Sequence, residues 1–180
     1  MNIIPTYLDG VILIEPPVFS DNRGYFTEVY KKSIYDNLGI ERNFVQDNLS
    51  CSAKDVLRGL HYQITQKQAK LVQVIKGEIF DVAVDLRPHS KTFGKWESYI
   101  LSDKNNRRVF IPEDFAHGFC VLSDTAYLLY KCSEYYAPGD EGGILWCDDA
   151  LNIDWPVKNP IISEKDRKLP AFFEVFGNIK

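Results

Sequence analysis

Arg58, His61 and Lys70 fall close together in this chain. Arg58 and His61 lie in the run Val56-Leu57-Arg58-Gly59-Leu60-His61-Tyr62-Gln63, and Lys70 opens the apolar run Leu71-Val72-Gln73-Val74-Ile75. A guanidinium matches phosphate oxygens with two parallel hydrogen bonds. An imidazole changes charge near neutral pH and suits proton transfer. An ammonium can hold a developing oxyanion. The grouping therefore brings a phosphate cation, a proton acceptor and an oxyanion stabiliser into one neighbourhood.

Other residues extend that set. General acid–base chemistry needs a base, a group that orients it, an acid and an electrostatic stabiliser. His61 suits the base, and a carboxylate on its other ring nitrogen would fix the tautomer. Asp166 is the candidate carboxylate, although taken alone it reads as a helix-start residue. Tyr130, in Ala126-Tyr127-Leu128-Leu129-Tyr130-Lys131, can donate a proton; a single strand tyrosine is more often a core aromatic. His117 stands among apolar residues at the start of a strand, whereas His89, after Pro88, reads as solvated surface. Arg23 and Lys165 add positive charge, and singly each reads as solvated. Tyr135-Tyr136 can stack on a flat base or pack as half-buried strand residues. A metal site on a strand face commonly uses H-x-H, but Gln63 follows His61 at that spacing. Only His61 and His117 remain as imidazole ligands, so no metal site is expected.

The composition narrows the function classes. The 180 residues are 45% apolar and 26% charged, with a formal net charge of −4. That is the balance of a globular protein of one domain, read here as residues 1–180. The acidic balance disfavours nucleic acid as the main partner. The first residues, Met1-Asn2-Ile3-Ile4-Pro5, lack a signal-peptide pattern, and no apolar run is long enough to span a bilayer. Four separated cysteines form no C-x-x-C pair and read as free, mostly buried thiols in a reducing cytoplasm.

Strands must position these groups. Val11–Ile14, Tyr25–Tyr30 and Phe44–Asn48 read as short strands, with a turn at Asp21–Gly24 and a helix over Lys31–Leu38 closed by Gly39. From Val56 the strand signal dominates: Leu71–Ile75, Ile79–Leu86, Trp96–Leu101, Arg107–Ile111, Phe119–Leu122 and Ala126–Cys132. In the second of these, Phe80, Val82, Val84 and Leu86 alternate with Asp81, Ala83 and Asp85, the period of a half-buried strand. Gly142-Gly143 reads as a loop. Ser163 reads as the N-cap of a last helix, with Asp166 at its third position. Many short strands with frequent turns predict an all-β sandwich or barrel.

At this point the sequence resembles the dTDP-4-dehydrorhamnose 3,5-epimerase family. The resemblance rests on Arg58-Gly59-Leu60-His61-Tyr62-Gln63 with Lys70-Leu71-Val72, Gln46-Asp47-Asn48 and Pro112–Phe119. It rests also on Tyr130-Lys131 with Tyr135-Tyr136, on Trp155-Pro156 and on Ser163–Asp166. It implies a cupin-type double-stranded β-helix (jelly roll) with a few short helices, working without metal or other cofactor and as a homodimer. It implies epimerisation at C3 and C5 of dTDP-4-keto-6-deoxyglucose through an enolate. His61 would be the proton acceptor, oriented by Asp166, Tyr130 the proton donor and Lys70 the enolate stabiliser. Substrate contacts would come from Arg23, Glu28, Gln46, Asp47, Asn48, Arg58, His117, Glu141 and Lys165, with Tyr136 stacking on thymine. The chain departs from the pattern at Ala69, Gln73 and Cys147–Ala150, none of which removes a catalytic group.

Two other classes stay open on the residues alone. One is another cupin enzyme, a keto-sugar isomerase or a metal-dependent oxygenase. The other is a sugar-nucleotide binding module without catalysis, which predicts that Tyr130 and Asp166 are dispensable. The N-terminal strands Val11–Ile14 and Tyr25–Tyr30 are expected to pair with a partner's sheet and to deliver Arg23 and Glu28 to its site.

Overall fold

A computed structural model describes residues 1–177 as two antiparallel sheets packed face to face, the jelly roll that the resemblance implies. Four strands and a helix come first: β1 Asn2–Ile4, β2 Ile12–Glu15, β3 Phe19–Asp21, β4 Gly24–Phe26 and α1 Lys32–Asn37. Then follow β5 Gln46–Ala53, β6 Leu57–Gln63, β7 Lys70–Lys76, β8 Glu78–Asp85, β9 Trp96–Ser102, β10 Arg108–Ile111, β11 Phe115–Val121, β12 Thr125–Cys132 and β13 Glu141–Gly143. A 3-10 turn at Asp166–Lys168 and a helix α2, Phe172–Phe176, complete the described chain. The larger sheet runs β1-β2-β10-β7-β12-β5 and the smaller β13-β6-β11-β8-β9, while β3 and β4 form a separate hairpin.

Strand periodicity divides the side chains into three apolar clusters. Val72 and Val74 of β7, Val109 of β10 and Leu128 of β12 meet Ile79, Ala83, Phe119 and Val121 of the smaller sheet, and these fill the sandwich. The outer face of the smaller sheet presents Leu57, Leu60, Val82, Val84 and Cys120. The C-terminal segment covers it with Leu151, Trp155, Ile162 and Phe172. Tyr35 of α1 and Ile40 cover Ile14, Leu71 and Phe110 on the outer face of the larger sheet.

That covering overturns one expectation. β8 is not half-buried: Asp81 and Asp85 are fully buried along with the valines. The strand lies between β11 and β9 and is packed on both faces, so its polar residues point into the sandwich rather than into water.

Other boundaries differ for local reasons. The amides Gln46 and Asn48 begin β5 instead of ending a strand. The strand predicted over Tyr25–Tyr30 is only Gly24–Phe26, because among the described residues the hairpin has no third strand beside it. Gly142 and Gly143 are not a loop; they pair with Tyr62 and His61 in β13. Ser163 Oγ accepts from the Asp166 N–H at 3.1 Å as a cap would, but only a 3-10 turn follows. Pro170 forces Leu169 into an extended conformation and stops it. Cys120 and Cys132 are buried, whereas Cys51 and Cys147 are exposed, so the thiols are not mostly buried. β2 is paired on both sides, with β1 and β10, and offers no free edge to a partner.

Candidate active site

The cleft opens between the two sheets where the inward residues turn from apolar to polar. From the larger sheet, β7 contributes Lys70, two residues before the core residue Val72; β12 contributes Tyr130, two after Leu128; and β5 contributes Gln46, Asn48 and Ser50. From the smaller sheet come Arg58 and His61 of β6 and His117 of β11. Arg58 and His61 are three apart, which in a regular strand puts them on opposite faces. An irregularity solves this: His61 pairs with His117 and Arg58 with Phe119, so β6 carries one extra residue between the two pairs.

Gly59 and Gly118 make that irregularity possible. Gly59 has φ +113°, in the region that favours glycine. A Cβ there would lie 2.6 Å from Gly118 Cα, and one on Gly118 would lie 2.8 Å from the Arg58 carbonyl oxygen. The two strands cross too closely for a side chain on either.

Two adjoining cavities result. One, of about 450 Å³, is lined by Arg58, His61, Lys70, His117, Tyr130 and Asp166, with Phe119, Ile161 and Ile162 among its apolar walls. The other, of about 240 Å³, is lined by Gln46, Asn48, His61, Gln63, Lys70, Tyr130, Tyr136 and Glu141. His61, Lys70 and Tyr130 line both and so mark the junction.

The junction has the parts of an acid–base site. His61 Nε2 is 2.9 Å from Asp166 Oδ1, and Asp166 Oδ2 accepts from the Gly59 N–H at 3.2 Å. Burial works to raise the Asp166 carboxyl, but the hydrogen bonds from His61, Gly59 and Ser163 outweigh it and hold the carboxyl below its usual value. The other imidazole nitrogen, Nδ1, has no protein partner among the described residues. Tyr130 approaches from the opposite sheet. Burial, then Cys132, push its phenol up, while Arg58 pulls the other way, so the hydroxyl keeps its proton at neutral pH. Lys70 stands diagonally across from Tyr130, since Cys132 of β12 is its register partner. Burial pushes the Lys70 ammonium down, and Cys132, Asp81 and Glu141 only partly offset it. Among the described residues, neither Lys70 nor Arg58 has a carboxylate within salt-bridge distance.

The remaining candidates divide. Tyr136 is held by its N–H to Gln46 Oε1 at 2.9 Å, and Gln46 Nε2 donates to Asn48 Oδ1 at 3.0 Å. Lys165 is ion-paired with Glu141 at the rim. Asp47 faces the other side of β5 and pairs with Lys131 at 2.9 Å. Arg23 lies in the β3–β4 hairpin, exposed and paired with Asp21 at 2.6 Å. Within one chain neither Arg23 nor Glu28 lines the cleft. Among the described residues no group of three or more His, Cys, Asp or Glu is arranged to hold a metal.

Two contributors escape a sequence reading. Gln63 Nε2 donates to the Gln66 carbonyl at 2.7 Å and its Oε1 accepts from the Ala137 N–H at 2.8 Å, which fixes the loop carrying Tyr136. Its place two residues after His61, on the same strand face, was the available signal. Asp81 bonds His117 from inside the sandwich, with Nε2 and Oδ2 2.8 Å apart. Nothing in its strand pattern separates it from a solvated carboxylate.

The comparisons with known proteins agree on one family. Residues 5–174 match the family described as dTDP-4-dehydrorhamnose 3,5-epimerase. A protein of that name from Methanothermobacter thermautotrophicus is 56% identical over 91% of this chain and 90% of its own. Another from Shigella flexneri is 52% identical over 92% and 93%. Among solved structures, a Legionella pneumophila dTDP-6-deoxy-D-glucose-3,5-epimerase in complex with dTDP-4-keto-L-rhamnose superposes with a TM-score of 0.92. It is 50% identical and covers 94% of this chain and 92% of its own.

Proposed function

Because the chain belongs to the dTDP-4-dehydrorhamnose 3,5-epimerase family, we propose that it inverts C3 and C5 of dTDP-4-keto-6-deoxyglucose. The product is dTDP-4-keto-L-rhamnose, the sugar bound in the Legionella structure, on the way to dTDP-L-rhamnose. The observation that carries the mechanism is the junction of the two cavities, where His61 and Tyr130 face each other from opposite sheets with Lys70 beside them.

The C4 carbonyl acidifies the hydrogens at C3 and C5. His61 takes one through Nδ1, with Asp166 on Nε2 holding the ring and favouring the imidazolium that forms. The electrons move onto the C4 oxygen, and Lys70 stabilises that enolate. Tyr130 returns a proton from the opposite face and the centre inverts. The positioned acid and base each contribute about 10²–10⁴-fold. An unpaired cation in a desolvated cleft interacts more strongly with an oxyanion than one in water.

The rest of the cleft suits the nucleotide. Arg58 supplies charge for the diphosphate, Gln46, Asn48, Glu141 and Lys165 supply polar contacts, and Tyr136 offers its ring to thymine. Asp47 lies on the same strand, and its side chain is paired with Lys131 on the other face. A homodimer completes the assembly. The hairpin leaves Phe19, Tyr25 and Phe26 more than half exposed, an apolar surface that a second copy would cover. Arg23 and Glu28 then serve the partner's cleft. No helix among the described residues is long and apolar enough to cross a membrane. Exposed free thiols at Cys51 and Cys147 suit the reducing cytoplasm.

The test is incubation with dTDP-4-keto-6-deoxyglucose in deuterated water, followed by NMR at C3 and C5. Deuterium at both positions with inverted configuration supports the reading. Unchanged substrate sinks it, and deuterium at C3 alone reduces it to a 3-epimerase.

A further inference from the structure

Asp81 has no place in the mechanism above, yet it is 0% exposed, on the inward face of β8. Its single hydrogen-bond partner is His117: Oδ2 lies 2.8 Å from Nε2, and Oδ1 has none among the described residues. Asp85, two residues on and equally buried, shows what a structural carboxylate looks like here. It accepts from the Arg87 guanidinium and backbone, from Ser90 at 2.6 Å and from Thr92 at 2.6 Å, and so closes the turn after the strand. A buried carboxylate costs free energy unless it is paired and its lone pairs are satisfied. Asp85 meets that condition and Asp81 barely does. The fold gains little from Asp81; His117 gains a fixed ring.

His117 and His61 are register partners on β11 and β6, and each gives Nε2 to a buried carboxylate. The two carboxylates come from different parts of the chain, Asp166 from the C-terminal turn and Asp81 from the central strand. The imidazoles differ in position. His61 lies at the junction of the cavities, whereas His117 is 7% exposed and lines only the cavity that holds Arg58.

We propose that Asp81 is a positioning residue that fixes the His117 ring with its proton on Nε2, so that Nδ1 is the nitrogen presented to the ligand beside Arg58. The cleft thus holds two carboxylate–imidazole pairs with divided roles, His61 with Asp166 for proton transfer and His117 with Asp81 for holding the substrate. The identity of the ligand rests on the epimerase reading; the state of the ring does not.

The experiment combines imidazole nitrogen NMR on the full-length protein with steady-state kinetics on dTDP-4-keto-6-deoxyglucose. In the wild type, long-range nitrogen–proton spectra should show a proton on His117 Nε2. Asp81→Asn keeps the shape but can turn an amide N–H towards Nε2, so the His117 proton should move to Nδ1. The variant's KM should rise about tenfold with kcat within about twofold, as loss of one hydrogen-bonded contact common to ground and transition states requires. In a His117→Ala background the same change should add less than about twofold to KM, because its route is gone. An Asp81→Asn variant with the wild-type proton pattern and KM overturns the proposal. So does one that loses kcat at constant KM, or whose effect on KM survives in the His117→Ala background. If Asp81→Asn does not fold, the wild-type spectrum decides: His117 without a proton on Nε2 overturns the proposal. A wild-type protein that fails to invert the sugar refutes the epimerase reading instead, and the ring measurement still judges the pair.

Discussion

His61 Nε2 and Asp166 Oδ1 are 2.9 Å apart although 105 residues separate them in the chain. The strand places the imidazole, and a 3-10 turn capped by Ser163 places the carboxylate. Val56 forms a parallel bridge with Ile161, which docks the C-terminal segment beside β6 and brings the turn within reach.

Asp166→Asn should keep the fold and lower kcat by about 10²–10⁴-fold, because an amide can hold the wrong imidazole tautomer. The variant should also change acid stability. The Asp166 carboxyl lies below its ordinary 3.8 in the folded protein. Its stabilising effect is therefore fully present above pH 3.8 and is lost as the pH falls through the folded value. Denaturant unfolding at pH 7 and at pH 3 should show a smaller acid loss in the variant than in the wild type. Equal losses would mean that the carboxylate is not held by His61, Gly59 and Ser163.

Lys70 gives a second pH dependence. Burial lowers its pKa from 10.5, so it loses its charge earlier than a solvated lysine. Because the folded pKa is depressed, stability from this residue increases as the pH rises from the folded value to 10.5. Activity runs the other way, since the neutral amine cannot stabilise the enolate. The alkaline limb of kcat should therefore fall below pH 10.5, and Lys70→Arg should move it upward while lowering kcat. An unmoved limb would assign it to another group.

The Gly59–Gly118 crossing predicts a stability effect. In Gly59→Ala the new Cβ would fall 2.6 Å from Gly118 Cα, at a φ of +113° that alanine rarely adopts. Strain and overpacking each cost about 1–3 kcal/mol. Chemical denaturation should show a loss in that range or above it, and any folded variant should lose activity because Arg58 and His61 no longer share a face. Wild-type stability would show that β6 and β11 can separate without cost.

The strand content was legible because apolar periodicity survives where a strand keeps one wetter face, as in β12 with Ala126 and Leu128 buried and Tyr127 exposed between them. β8 defeated that logic: the C-terminal segment, with Leu151, Trp155, Ile162 and Phe172, buries its second face, a contact between distant parts of the chain that no local pattern records. A separation of 105 residues likewise hid the link between Asp166 and His61: the residue types made Asp166 a candidate, but only the resemblance implied the pair. The bulge that turns Arg58 and His61 to one side could be suspected from Gly59 but not placed without its partner strand. Arg23 and Glu28 were named through the resemblance and expected to serve a partner's site, and within one chain neither lines the cleft.

In the proposed mechanism His61 removes the proton and Tyr130 returns it from the opposite sheet. Solvent deuterium exchange at C3 and C5 of dTDP-4-keto-6-deoxyglucose, followed by NMR alongside configuration, tests both halves at once. His61→Asn should abolish exchange at both carbons. Tyr130→Phe deletes only the hydroxyl and should allow exchange to continue while inversion at C5 falls by about 10²-fold or more. Exchange that persists without His61, or C5 inversion at the wild-type rate without the Tyr130 hydroxyl, would contradict the account.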